Sequence, residues 1–174
     1  MARRRLIVIL AITAVVALVV GLVVFKPWLL FVDVRVDDAL PQIAEVPADK
    51  GTAPPVADGP IELSSGSFIS HEHATTGTAT IIENSDGTRV LAIESLDTSN
   101  GPDVHVWLSA SDVVEGMDGW FVAGGAEYLD LGLIKGNVGN QVYEIPPATD
   151  LSQYRSVALW CVQFSVSFGA AQLT

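Results

Sequence analysis

The chain holds one cysteine, Cys161, and it is the only side chain that can itself change oxidation state through a thiol. A thiolate is the reactive form and the metal ligand, so Cys161 acts chemically only where a neighbouring positive charge or donor lowers its pKa. Packing as a small, half-buried hydrophobe is the competing reading, and residue chemistry alone leaves both open. With no second cysteine, no internal disulfide can staple the domain, and the core must carry the fold. A second group of interest is Asp103, His105 and Trp107, which alternate with Val104, Val106 and Leu108 and so share one strand face. Asp and His at i and i+2 could contribute to a cation site, although an exposed strand face that happens to carry polar groups is the simpler account. Asp112, Glu115, Asp118 and Glu127 make 110–127 an acidic loop, but its spacing is not that of an EF-hand, and no metal site is expected. Cys-x-x-Cys-His, Cys-x-x-Cys, His-Glu-x-x-His, Gly-x-Ser-x-Gly and phosphate-binding glycine loops are all absent, and a hydrolase is not expected.

The elements that must position these residues read as strands. From about Ile61 helical periodicity is missing and strand signals recur. Thr78–Glu83 and Arg89–Glu94 flank Asn84-Ser85-Asp86-Gly87, a hairpin with Asp-Gly at its turn. Asn100-Gly101-Pro102-Asp103 is turn chemistry, and Val104–Ser109 resumes strict alternation. Loop 110–127 leads to Tyr128–Leu131, a glycine-rich turn over 133–140, and Gln141–Ile145. Ser156–Phe168 reads as one extended strand. Its face Ala158, Trp160, Val162, Phe164, Val166, Phe168 is wholly apolar and predicts core, while Val157, Leu159, Cys161, Gln163, Ser165 and Ser167 form a mixed face. The fold class expected is all-β, an antiparallel sandwich or barrel-like domain.

Ahead of that domain, Leu6–Phe25 is an uncharged run of twenty residues, about the length that spans a bilayer core. Arg3, Arg4 and Arg5 precede it and predict a cytoplasmic N-terminus, while Trp28 and Phe31 suit the outer interface. A cleaved signal peptide is the alternative, but the run is longer than usual and ends in Val23-Val24-Phe25-Lys26-Pro27-Trp28 without a small-x-small site. The sequence thus divides into a basic stub and signal anchor (1–31), a proline-rich spacer (32–60) and a β domain (61–174), a single-pass plasma-membrane protein with its domain outside. Where the anchor meets the spacer, residues 31–37 alternate like a short strand. After Lys26 five Lys and Arg face 20 Asp and Glu, which excludes nucleic acid as a partner and suits a cationic partner or mere solubility.

Gly66-Ser-Phe68, His73-Ala-Thr75-Thr-Gly77-Thr78-Ala79, Gly101-Pro102-Asp103-Val104-His105-Val106, Leu131-Gly132-Leu133-Ile134-Lys135-Gly136-Asn137-Val138-Gly139-Asn140-Gln141, Ile145-Pro146 and Ser156–Ala171 resemble, in order, the DM-thirteen domain. The resemblance covers about residues 62–172. It implies a β-rich extracellular domain proposed to take part in electron transfer, with Cys161 at the position of the family's characteristic cysteine. That cysteine is thought to act as a bare thiol or as a ligand to a prosthetic group such as haem. Haem here would be held non-covalently, with Cys161 as an axial ligand, and a site with no cofactor fits equally well. His73, at the family's histidine, is the first candidate for lowering the thiol pKa, and Lys135 the second. The reading is a membrane-anchored redox module acting through Cys161 and meeting a redox or cell-surface protein. Its rival is a non-catalytic binding or structural ectodomain with an acidic surface.

Overall fold

A computed structural model describes residues 2–43 and 59–174. Ala2–Phe25 forms helix α1, apolar and exposed on all sides, and it is long and apolar enough to cross a membrane. Thr13 Oγ1 returns its proton to the Ile9 carbonyl at 3.0 Å, which satisfies that hydroxyl inside the helix. The helix stops where Pro27 cannot continue it. Lys26 takes a left-handed conformation (φ 43°), and Pro27–Phe31 follows as a 3-10 turn.

Nine strands follow among the described residues: β1 Arg35–Asp37, β2 Ile61–Ser70, β3 Thr76–Glu83, β4 Arg89–Asp97, β5 Val104–Ser109, β6 Tyr128–Leu133, β7 Val138–Ile145, β8 Ser156–Cys161 and β9 Val166–Gln172. They make one sheet in the order β1-β7-β4-β3-β2-β9-β8-β5-β6, curled into a half-barrel. The barrel-like expectation holds. The departure from an antiparallel sheet is β1, which pairs with β7 in parallel. The β3–β4 hairpin turns at the expected Asp-Gly, with Gly87 at φ 79° and Glu83 opposite Arg89. The strand expected over Val104–Ser109 is β5, and loop 110–127 contains 3-10 turns at Met117–Phe121 and Ala123–Gly125.

The alternation expected within 31–37 is β1, built into the sheet. Asn137 Oδ1 accepts the Val34 N–H at 2.7 Å, Asn137 Nδ2 donates to Asp33, and Asn140 Nδ2 donates to Asp37. Gly139, at φ 107°, lies where any Cβ would strike the Val36 carbonyl, so the parallel approach of β1 requires glycine there. The proline-rich part of the spacer, 44–58, lies outside the described residues.

Ser156–Phe168 is not one strand. Val162–Ser165 is a turn that folds β9 back on β8, with Ser165 at φ 53°. The chain reversal also changes the faces. Inside the curl, Val157, Leu159 and Cys161 of β8 join Val104, Val106 and Leu108 of β5, Leu91 and Ile93 of β4, and Phe168 of β9 in the main core. Ala158 and Trp160, expected to be the principal core face, instead pack on the outer side with Trp107, Ala123 and Ala170. Phe164 is at the turn, 45 % exposed, and Val162 is also exposed. Both faces of β8 are buried because the 117–125 loop covers the outer one, so alternation could not single out the inner face.

Candidate functional site

The strand directions place the family-like motifs at one end of the half-barrel. There β2 hands over to β3 through residues 71–75, β4 to β5 through 98–103, and β8 to β9 through 162–165. Thr75 knits the first two to β9. Its hydroxyl lies 2.8 Å from that of Thr98 and donates to the Phe168 carbonyl at 3.1 Å, all in a buried setting. Gly101 lies where a Cβ would strike the Phe168 ring, so glycine allows the 98–103 loop to close over it. The carbonyl of Asp103 accepts the Val162 N–H at 2.9 Å and ties the third connection to the second. The same turn reaches α1: Gln163 Nε2 donates to the Val24 carbonyl at 2.9 Å, and Phe164 stacks on Phe25 with centroids 5.9 Å apart.

Cys161, the last residue of β8, lies beneath this turn and is fully buried. Burial pushes its thiol pKa up. The backbone N–H groups of Phe164 and Gln163 pull the other way, and the Asp103 carboxylate adds to the rise. The resting group is therefore a protonated thiol at neutral pH.

His73 lies at the same end, but it makes no hydrogen bond to Cys161. Its ring rests on Phe168 (centroids 3.9 Å) and its Nε2 pairs with Glu72 at 2.5 Å. Burial lowers its pKa, and Glu72 opposes that shift. A cleft of ≈ 470 Å³ between the domain and the end of α1 is lined by His73, Glu72, Trp120, Phe164, Phe168 and Phe25 among others, and not by Cys161. Lys135 is committed elsewhere: Nζ donates to Asp38 at 2.5 Å and to the Val142 carbonyl at 2.7 Å, above the Tyr143 ring. Residue types at the right spacing bring His73 and Cys161 to one end of the fold without bringing their polar atoms together.

A haem ligated by Cys161 does not fit this arrangement. The sulfur has no exposed surface and is packed into the main core with Val104, Val166 and Phe168, which leaves no space for a macrocycle at an axial position. Among the described residues, no three His, Cys, Asp or Glu side chains are gathered so as to hold a metal ion.

His71 is a site-end residue that the sequence did not single out. Its Nδ1 lies 2.8 Å from the Ser167 hydroxyl and its Nε2 3.1 Å from the Val114 carbonyl, pinning the 110–127 loop to β9. Burial lowers its pKa, with the Val114 carbonyl opposing. For His71 and His73 the folded state binds the proton less readily than the unfolded chain, whose ordinary value is 6.5. Their stabilisation is present above that value and is lost as pH falls through the folded pKa. Cys161 has the opposite sign: its stabilisation is present below its ordinary value of 9.0 and is lost as pH rises through the raised one. Melting temperature should therefore decline on acidification below about 6.5 and again above about 9. Cys161→Ser should remove the onset near 9 and leave a later decline from Tyr143, whose pKa burial pushes up to about 12. An alkaline limb identical in wild type and Cys161→Ser would contradict this reading of the buried thiol.

Neither the curated proteins nor the solved structures contain a match to this chain. The family model described as electron transfer DM13 matches residues 67–173, which takes in every connection of the motif-bearing end and Cys161 itself, and the chain belongs to that family.

Proposed function

We propose that the protein is a membrane-tethered, extracytoplasmic electron-transfer module in which Cys161 is the redox group. The observation that carries the proposal is family membership over 67–173, a span that contains the chain's one thiol. The tether is supported by α1, apolar all round, with Arg3, Arg4 and Arg5 at its start and the acidic residues all beyond its end. In this reading 1–31 is stub and anchor, 32–60 the spacer, with β1 paired into the sheet, and 61–174 the working domain.

The geometry sets the terms on which the thiol works. Cys161 becomes accessible when the Val162–Ser165 turn lifts and the bond from the Val162 N–H to the Asp103 carbonyl parts. Exchange with a partner disulfide then forms a Cys161–partner disulfide and releases one partner thiol, which takes the proton. His73 does not touch Cys161 in the closed fold and assists the thiol only once the turn has lifted, so His73→Ala should weaken the reaction and not abolish it.

A second reading, a non-catalytic binding or structural ectodomain with an acidic surface, is favoured by the complete burial of the thiol. Alkylation kinetics on the full chain in lipid nanodiscs separate the two. The redox reading expects slow, complete, pH-dependent labelling of Cys161 under conditions where the domain stays folded. Labelling that occurs only with global unfolding supports the second reading.

A further inference from the structure

On the outer face of the sheet, away from the core that holds Cys161, lies a cleft of ≈ 660 Å³. Its floor is a column of rings. Tyr128 stacks on Trp107 at 3.7 Å and 8°, and Trp107 stacks on Trp160 at 5.1 Å and 21°. Trp107 and Trp160 are at least 95 % buried, whereas Tyr128 and Phe121, which also line the cleft, are about half exposed. Gly124 lies where a Cβ would strike the Trp160 ring, and glycine there lets the loop approach the column. Beside the rings is a fixed polar group: His105 Nδ1 donates to Asp130 at 2.8 Å, and its Nε2 lies 3.3 Å from Asp103. Trp107 Nε1 is the one buried side-chain nitrogen or oxygen among the described residues that has no hydrogen-bond partner. Buried N–H groups without partners are uncommon and unfavourable, and because this one has no open surface, a ligand oxygen completes it only when a neighbouring lining side chain moves aside.

The lining discriminates between ligand classes. No Lys or Arg lines the cleft and Asp130 does, which disfavours anions. Among the described residues no three His, Cys, Asp or Glu side chains are gathered so as to hold a metal ion, which disfavours one here. An organic cation needs several open ring faces around it, but the faces of Trp107 are occupied by its stacking partners, and an indole N–H repels positive charge. What remains is a neutral molecule with an apolar face and hydroxyls that both accept and donate. Asp130 already accepts from His105 and the Gly132 N–H, but a carboxylate has about four acceptor positions and retains capacity for a ligand hydroxyl.

We propose that this cleft binds a neutral sugar unit of a glycan, its C–H face on Tyr128 and its hydroxyls meeting Asp130 and the Trp107 N–H. The proposal uses neither Cys161 nor His73, although Val162 and Ser165, at the two ends of the turn above Cys161, also line the cleft. The test is calorimetric titration of the full chain, held in nanodiscs free of glycoside detergent, with maltotriose, cellotriose, mannotriose and tri-N-acetylchitotriose, and with choline and glucuronate as charged probes. At least one neutral trisaccharide should saturate, and both Trp107→Phe, which keeps a ring and removes the donor, and Asp130→Asn should weaken it at least about tenfold. Melting temperatures of both variants are measured alongside, and a variant that stays folded is sufficient for the comparison. Saturation by none of the four sugars, tighter binding of choline or glucuronate, or wild-type affinity in a folded variant would overturn the proposal.

Discussion

Phe168→Ala should destabilise the domain by about 3–5 kcal/mol, the usual range for deleting a buried phenylalanine. Phe168 is 2 % exposed, sits in the main core, and supports both the His73 ring and the 98–103 loop. Phe164→Ala, on the same face if the chain ran straight from Ser156, should change stability by no more than about 1 kcal/mol, because Phe164 is at the turn and half exposed. Equilibrium unfolding of the two variants in nanodiscs measures the contrast directly. Equal losses would mean that β8 and β9 are not separated by the Val162–Ser165 turn.

Asn137→Ala should have the second largest effect, about 2–4 kcal/mol, from orphaned buried groups at about 1–3 kcal/mol each. Asn137 is 1 % exposed, accepts the Val34 N–H, and donates to the Thr98 carbonyl at 2.8 Å as well as to Asp33. Its loss should free β1, so amide exchange across Val34–Asp38 should become fast while the β3–β4 hairpin remains protected. Unchanged protection of β1 would show that Gly139 and the ladder to β7 hold it without the side chain. A chain beginning at Ile61 retains the residues of the main core but leaves Asn137 without β1, so it should fold with a lower melting temperature than the full chain.

Much of this fold was legible because single signals were unambiguous. Asp86-Gly87 marks a hairpin that only a left-handed glycine closes easily, and Val104–Ser109 alternates cleanly because one face of β5 meets the core. One stretch misled and another gave no signal, each for a physical reason. Val162-Gln163-Phe164-Ser165 has no Gly, Pro, Asn or Asp to announce a turn, and Ser165 takes a positive φ that serine seldom adopts. β2 is rich in serine and carries a single buried residue, Phe68, so it shows almost no periodicity. The pairing of β1 depends on Asn137 and Gly139, about a hundred residues away, and no local pattern encodes such a contact. At the site, the family-like motifs singled out Cys161 and His73, and the fold carries both to one end of the domain. What separates their polar atoms is the packing of Phe168 against the His73 ring and the burial of Cys161 in the core, both products of tertiary structure. The outer cleft was half visible: Asp103, His105 and Trp107 share a face as alternation says, but Asp130 and Tyr128 arrive from β6, which pairs with β5 through an irregular register.

The most direct test of the account is redox equilibration of Cys161 in the full chain. Wild-type protein in nanodiscs is held with reduced and oxidised glutathione over a range of ratios, and the mixed disulfide is read by intact mass. One reversible transition is expected, reached slowly because the turn must lift, absent from Cys161→Ser and slower in His73→Ala. A thiol that stays unmodified at every ratio while the domain is folded, and is modified as soon as it is unfolded, would contradict it.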